Sequence, residues 1–386
     1  MPPHFLQAIA GQSFDFIVRS PGRINIIGEH IDYNGGLVLP AAIDKAIYFA
    51  VRRRADQLLV LHALDINERA TVQLPQNTKT GNLWVDYLLG IAEQYRLQGH
   101  QIPGLDIVFG GNLPRGAGVS SSAAMEGGMA FISNKITKAG FSRSELAQIC
   151  HQSSNVFLGI PSGIMDQFAS LNGKADHAIL LDCNSLEHEF IPAQLPGYKL
   201  LLVNSLVTHQ LGDSEYPVRV KECQEGLAAL QVLFPELKTL AEATPKQVEA
   251  IRPQVSDTIY RRCHYVSQES IRIQRAVVAL RAGDALSLGE EMNATHAGLR
   301  DDYEVSCAEI DFLQAFAQAY PDVAGSRIMG GGFGGCTINL IKEAAIPAFK
   351  TAIATAYRTA ENIEPGFYEV HIQDGTQLVG NEGVDV

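Results

Sequence analysis

Four stretches of this chain concentrate residues whose chemistry exceeds what a plain loop requires. The first is Asn112-Leu-Pro-Arg-Gly-Ala-Gly-Val-Ser-Ser-Ser-Ala-Ala-Met-Glu126. Gly116 and Gly118 let the main chain approach a ligand closely and take positive φ without strain. Ser120, Ser121 and Ser122 are helix N-cap residue types, and they open the helix predicted behind them. A helix start offers unpaired N–H groups and partial positive charge, which attract phosphate. No G-x-x-x-x-G-K-[ST] occurs, and serines follow Gly116 and Gly118, so neither common nucleotide-binding glycine motif applies. The plain alternative is a tight turn capped by serine.

The second stretch is Ser20-Pro-Gly-Arg-Ile-Asn-Ile-Ile-Gly-Glu-His-Ile-Asp-Tyr-Asn-Gly-Gly-Leu-Val-Leu-Pro40. Apolar Ile24, Ile26 and Ile27 lead through Gly28 into Glu29, His30, Asp32, Tyr33 and Asn34. Carboxylates accept hydrogen bonds from hydroxyls, and His, Tyr and Asn donate or accept, so the cluster suits a hydroxyl-rich ligand. A polar turn is the plain alternative. In the third, Gly159-Ile-Pro-Ser-Gly-Ile-Met-Asp-Gln-Phe168, Asp166 sits between Met165 and Phe168 near the start of an apolar segment. A carboxylate in such company is hydrogen-bonded, ion-paired or functional; capping a helix is its plainer use. The fourth, Gly330-Gly-Gly-Phe-Gly-Gly335, is too rich in glycine for a helix or strand interior. It reads as a loop lying close to a ligand or to another loop.

Elements must position these stretches. Strands are predicted at 14–18, 36–51, 58–63, 70–74 and 105–109, and helices at 84–98, 123–138 and 142–158. Ser142 and Glu145 form a capping-box pattern for the last of these. Gly127 and Gly128 each cost a helix interior about 1 kcal/mol relative to alanine, which close packing against a neighbour would explain. Strands follow at 178–181, 187–191 and 199–204, and residues 192–197 read as the crossover between domains. The second half is richer in helix, at 215–233, 257–281, 285–296 and 306–319, with Pro217 suited to a first helical turn. A strand at 337–341 follows the glycine run.

At 386 residues the chain exceeds one ordinary domain, and two are expected. A net charge of −12 without a basic run argues against a nucleic-acid partner. The six cysteines are scattered without C-x-x-C or zinc spacing, which suggests reduced thiols. The sequence has no secretory pattern at its start and no bilayer-length apolar run, predicting a cytoplasmic protein without a membrane partner.

Taken together, the stretches resemble the GHMP family of small-molecule kinases, and within it the galactokinase type. The resemblance rests on Gly22-Arg-Ile-Asn-Ile-Ile-Gly-Glu-His-Ile-Asp-Tyr-Asn34, Leu113-Pro-Arg-Gly-Ala-Gly-Val-Ser-Ser-Ser-Ala-Ala124 and Gly330-Gly-Gly-Phe-Gly-Gly335. Gly163-Ile-Met-Asp-Gln167, Ser214-Glu-Tyr-Pro-Val-Arg219 and Asp302-Tyr-Glu-Val-Ser-Cys307 support it. It implies an α/β (α+β) fold in two domains, residues 1–195 with a mixed sheet and 196–386 with an antiparallel sheet. The active site would lie between them. It further implies a monomer that uses ATP and Mg2+ to phosphorylate galactose at O1. By resemblance, Asp166 is the base and Arg23 the cation that keeps it ionised and steadies the transferring group. Glu29, His30, Asp32, Gly163 and Tyr216 would hold the sugar. Gly116, Ala117, Gly118, Val119, Ser120, Ser121 and Ser122 would cradle the nucleotide phosphates, with Ser122 reaching the magnesium.

Three positions depart from the family pattern. Ser154 stands where a magnesium-binding glutamate is usual, with Glu126 as a candidate substitute one helical turn beyond Ser122. Ile31 replaces a common threonine, and Ser162 a common cysteine. These keep two alternatives open: a kinase of N-acetylgalactosamine or a sugar acid, and a non-catalytic sensor of galactose and ATP.

Overall fold

In the computed structural model, which describes residues 1–114, 116–208, 211–379 and 384–385, the β-branched and aromatic run at 47–51 lies at the centre of a six-stranded sheet. The strand order is Gln377–Leu378, Phe16–Asn25, Pro40–Arg53, Leu105–Gly111, Leu58–Ala63 and Glu68–Gln73. All neighbours are antiparallel except Leu58–Ala63 beside Leu105–Gly111. Nearly every residue of Phe16–Asn25 is buried, as expected of a strand covered on both faces. The Ser121–Thr137 helix packs on this sheet, and the predicted close approach is found there. A Cβ on Gly128 would lie 2.4 Å from the Phe49 ring. A three-stranded sheet of Leu37–Val38, His177–Asp182 and His188–Pro192 sits alongside.

The second large sheet has four antiparallel strands, in the order Val323–Ile328, Gly334–Lys342, Tyr198–Thr208 and Gly366–Val370. Helices Asp257–Ala282, Ala285–Asp301, Ala308–Ala319 and Ile346–Glu361 accompany it. A mixed sheet followed by an antiparallel one, each with helices, is the two-domain architecture expected. Residues 193–197 connect His188–Pro192 to Tyr198–Thr208. The chain then returns: Gln377–Leu378 pairs with Phe16–Asn25, Thr376 N–H donates to Ser170 O at 2.8 Å, and the Thr376 and Ser20 hydroxyls lie 2.9 Å apart.

Several local expectations need correction. The strand predicted at 36–51 is two, Leu37–Val38 and Pro40–Arg53. The helix predicted at 142–158 keeps its Ser142–Glu145 capping box but is α-helical only over Arg143–Gln152, then widens to a π-helix over Ser153–Leu158. Pro217 falls inside the Leu211–Leu233 helix, because that helix starts earlier than residue 215. There the proline ring costs a main-chain hydrogen bond. All six cysteines are free, with Cys183 and Cys307 only partly buried.

Candidate active site

The four stretches converge on one cavity of about 720 Å³. The Phe16–Asn25 strand carries Arg23 to it from one side, and the Met165–Asn172 helix presents Asp166 from its first turn. The arginine fork fits the carboxylate edge on. Arg23 Nε donates to Asp166 Oδ1 at 2.7 Å and Nη2 donates to Oδ2 at 2.8 Å. Nη1 donates to Gly118 O at 2.6 Å, so one guanidinium touches both the carboxylate and the glycine–serine turn. Burial opposes the charge of Arg23, but Asp166 and then Glu29 more than offset it and raise its pKa. The Arg23 side chain is 5% exposed and that of Asp166 31%, so the carboxylate still reaches the cavity.

The polar cluster of residues 29–34 forms the next wall. Asp32 packs on Gly163 so closely that a Cβ there would lie 1.7 Å from Asp32 Oδ2. Burial first, and the charge of Asp166 second, push the Asp32 carboxyl up to about 7. His30 adopts φ 63°, an uncommon conformation for a non-glycine residue and one that occurs at functional sites. Burial pushes the His30 imidazole down to about 4, so at neutral pH it is an uncharged hydrogen-bonding group. Its Nδ1 lies 2.9 Å from the Tyr33 hydroxyl, which lies 2.7 Å from that of Tyr303. The buried Nε2 has no hydrogen-bond partner among the described residues. Tyr216 stacks at a tilt on His30, with ring centres 5.6 Å apart, and also lines the cavity.

Glu29 lines the cavity too, yet its carboxylate is heavily engaged. Oε1 accepts from Arg327 Nη1 at 3.0 Å and Gly330 N–H at 2.8 Å, and Oε2 accepts from Asn25 Nδ2 at 3.0 Å. Burial works against its ionisation, but Arg327 first and Arg23 next hold its pKa below the usual carboxylate range.

Of residues 116–122, only Ser122 lines the cavity; Arg115 is outside the described residues. Ala117 and Val119 are buried in the core, and the Val119 carbonyl accepts from Arg23 N–H at 3.2 Å. Ser120 holds the N-cap position of the Ser121–Thr137 helix but makes no side-chain cap, contrary to its residue type. Its φ is 59°, and its hydroxyl donates to Asp166 Oδ2 instead. The first N–H groups of the helix therefore keep their affinity for an anion.

Ser154 lines the cavity with Ser122, an all-oxygen pair of the kind magnesium accepts. Glu126 is not in the cavity wall. It is fully buried behind it, accepting from Ser154 Oγ at 2.7 Å and Gln167 Nε2 at 3.2 Å. Burial pushes its carboxyl up to about 8 despite those two hydrogen bonds. Among the described residues, no group of three or more His, Cys, Asp or Glu side chains could hold a metal ion by itself.

Residues 4–53, which include Arg23, Glu29, His30 and Asp32, match the galactokinase galactose-binding signature. Residues 86–174 match the N-terminal domain of GHMP kinases and residues 276–359 the C-terminal domain. A galactokinase of Thermotoga maritima is 38% identical over 362 residues, covering 94% of this chain and 99% of the relative. The chain belongs to the galactokinase family. A second member, from Roseiflexus sp. (strain RS-1), is 36% identical over 363 residues, covering 94% and 93% of the two chains. Lactococcus lactis galactokinase, solved in complex with galactose, superposes with a TM-score of 0.92 at 32% identity, over 96% of this chain and 97% of that one. Methanococcus jannaschii mevalonate kinase, at 14% identity and a TM-score of 0.68, shares the fold.

Within the galactokinase family, Ile31 and Ser162 were the departures that bear on the sugar. Ile31 is buried against Gly36 and does not line the cavity, whereas Ser162 does. Sequence reasoning missed Arg327 and Gln167 as site residues, and for Ser120 it named a nucleotide role but not the hydrogen bond to Asp166. Arg327 had a signal, since it is a charged residue just before the glycine run, in a strand otherwise built of small and apolar residues.

Proposed function

We propose that this chain transfers the γ-phosphoryl group of ATP to O1 of galactose, giving galactose 1-phosphate and ADP. The carrying observation is the Arg23–Asp166 fork, open to a cavity walled by Asp32, His30 and Tyr216 and tied through Gly118 to the turn that precedes a helix start. Asp166 takes the O1 proton as the O1–Pγ bond forms and the bond from Pγ to the bridging oxygen breaks. Arg23 balances the charge of Asp166 and of the phosphoryl group in transit. Asp32, neutral His30 and Tyr216 orient the sugar so that O1 faces the phosphate, and Glu29 adds an acceptor beside them. The backbone of residues 116–122 and the Ser121–Thr137 helix start bind the nucleotide phosphates.

When bound, magnesium neutralises phosphate charge, and Ser122 and Ser154 would hold it together with phosphate oxygens and water. In this reading Glu126 supports Ser154 from behind. The division between the two domains is proposed at 195/196, and the protein is proposed to act as a cytoplasmic monomer. Among the described residues, no helix is long and apolar enough to cross a membrane.

The test is a panel of galactose, N-acetylgalactosamine, galacturonate and arabinose with ATP at several magnesium concentrations. Galactose is expected to be the best acceptor, since Ile31 is withdrawn from the cavity. A preference for N-acetylgalactosamine or galacturonate would reassign the substrate. Binding of galactose and ATP without any sugar-dependent ATP consumption would favour the sensor.

A further inference from the structure

The Glu29 carboxylate joins two parts of the chain that are far apart in sequence. It follows the turn at Gly28, where the sugar-side wall begins, and its Oε1 accepts the N–H of Gly330, the first residue of the glycine loop. Arg327 holds the joint in place. It is fully buried, and besides Glu29 it donates to three main-chain oxygens: Ile26 at 2.9 Å, Ile328 at 2.6 Å, and Asn25. One guanidinium thus clasps both the strand leading into the sugar wall and the strand leading into the glycine loop.

The glycine loop in turn backs onto the phosphate-side turn. A Cβ on Gly118 would lie 3.2 Å from Met329 O, and one on Gly330 would lie 3.4 Å from Gly118 O. That same Gly118 carbonyl accepts from Arg23 Nη1. The path is continuous: sugar wall, Glu29, Gly330, Gly118, Arg23, Asp166. On the far side the loop is pinned by Phe333 N–H donating to Val305 O at 2.8 Å, so a shift at Gly330 is not absorbed by slack beyond it.

An ionised carboxylate offers about four lone-pair positions. Three are used by Arg327, Gly330 and Asn25, which leaves one on Oε2 for a sugar hydroxyl. We propose that Glu29 and Arg327 are positioning residues that couple the two substrates, so that occupying the sugar site sets the glycine loop and phosphate-side turn for the nucleotide, and the reverse. This rests on the kinase reading above. A fold-stabilising ion pair alone would affect both ligands alike or neither; a joint makes each ligand's affinity depend on the other.

The experiment is calorimetric titration of the full chain with galactose, alone and with a saturating non-hydrolysable ATP analogue plus magnesium. For the unmodified chain the analogue is expected to tighten galactose binding about five- to tenfold, within the usual range of such couplings. In Glu29→Gln and in Arg327→Met the ratio is expected to fall below about twofold. The double variant removes both buried charges, so it is expected to fold better than Arg327→Met and still to lack coupling. If Arg327→Met does not fold, Glu29→Gln and the double variant decide. A ratio in the variants equal to that of the unmodified chain overturns the inference. So does an unmodified chain that binds both ligands independently. Loss of all sugar binding in Glu29→Gln, with the Arg327→Met ratio intact, assigns Glu29 to the sugar alone and also overturns it. An unmodified chain that binds neither ligand defeats the kinase reading itself.

Discussion

Arg23 grips both oxygens of Asp166, with Nε 2.7 Å from Oδ1 and Nη2 2.8 Å from Oδ2. Its third nitrogen holds the Gly118 carbonyl, so the position of the base relative to the phosphate turn is set by one rigid planar group. A reaction that depends on aligning an acceptor oxygen, a phosphorus and a leaving oxygen needs such a fixed relation.

Asp166→Asn keeps the size of the side chain and removes its basicity. The kcat is expected to fall about 10²- to 10⁴-fold. Galactose affinity and the far-ultraviolet circular dichroism spectrum are expected to stay close to those of the unmodified chain. Turnover at more than a tenth of the original rate would remove Asp166 from the role of base.

Arg23→Lys keeps the charge and loses the fork. An ammonium cannot hold both carboxylate oxygens and the Gly118 carbonyl in one plane. We expect kcat to fall about 10- to 100-fold, with a smaller change in the KM for galactose, because the sugar wall of Asp32, His30 and Tyr216 is untouched. Steady-state kinetics with both substrates varied separate the two effects.

Gly163→Ala is the sharpest steric test of the sugar wall. The new methyl would stand 1.7 Å from Asp32 Oδ2 and 2.1 Å from its Cγ, so Asp32 must leave its place. A displacement of that size costs about 100-fold in galactose kcat/KM. ATP affinity, read by fluorescence titration, is expected to be nearly unchanged. Equal loss on both ligands would point to a damaged fold instead.

The raised Asp32 carboxyl gives the sugar site a pH dependence. With a pKa of about 7, it is half protonated near neutrality, and it accepts from sugar hydroxyls with both oxygens and more strongly where ionised. Galactose affinity is therefore expected to rise with pH, by about tenfold between pH 6 and pH 8. Binding near pH 6.5 should release a proton, seen as a dependence of the binding heat on buffer ionisation enthalpy. In the sugar-free protein the folded state holds this proton more tightly than the unfolded chain. Its contribution to stability is fully present below pH 3.8 and is lost as pH rises through about 7. Asp32→Asn is expected to flatten both profiles.

Magnesium demand tests the serine pair. Ser154→Ala and Glu126→Gln are each expected to raise the magnesium concentration for half-maximal activity about tenfold or more. Similar curves for both variants would link Glu126 to the metal through the Ser154 hydroxyl. A Glu126→Gln curve identical to that of the unmodified chain would make the buried carboxyl a purely packing residue.

Much of this site was legible because its residue types are costly anywhere else. Glycines at 116 and 118 beside three serines, and five polar residues packed into 29–34, have few cheap uses in a folded core. Gly128 was readable as a close contact, and the Phe49 ring is that contact. Arg327 was harder to read. The partners that make its burial tolerable are main-chain oxygens, which every residue possesses, so sequence offers no sign of them. Ser120 sits at the N-cap as its type suggests, but its hydroxyl goes to Asp166 rather than to the helix, because a hydroxyl suited to capping a helix equally suits a carboxylate brought in from residue 166. The Ile346–Glu361 helix was overlooked although Ile346, Phe349, Ile353 and Tyr357 mark its buried stripe. The π-turn at Ser153–Leu158 leaves no such mark, since its residues read as an ordinary helical continuation.

The return of Gln377–Leu378 to the sheet of Phe16–Asn25 means that the backbone passes between the first half's sheets and the four-stranded sheet twice, once at 193–197 and again after Val370. The four-stranded sheet is thus joined covalently to the first half at both ends of its stretch of chain, and the buried Arg327 hydrogen bonds to Asn25 and Ile26 add a third, non-covalent join.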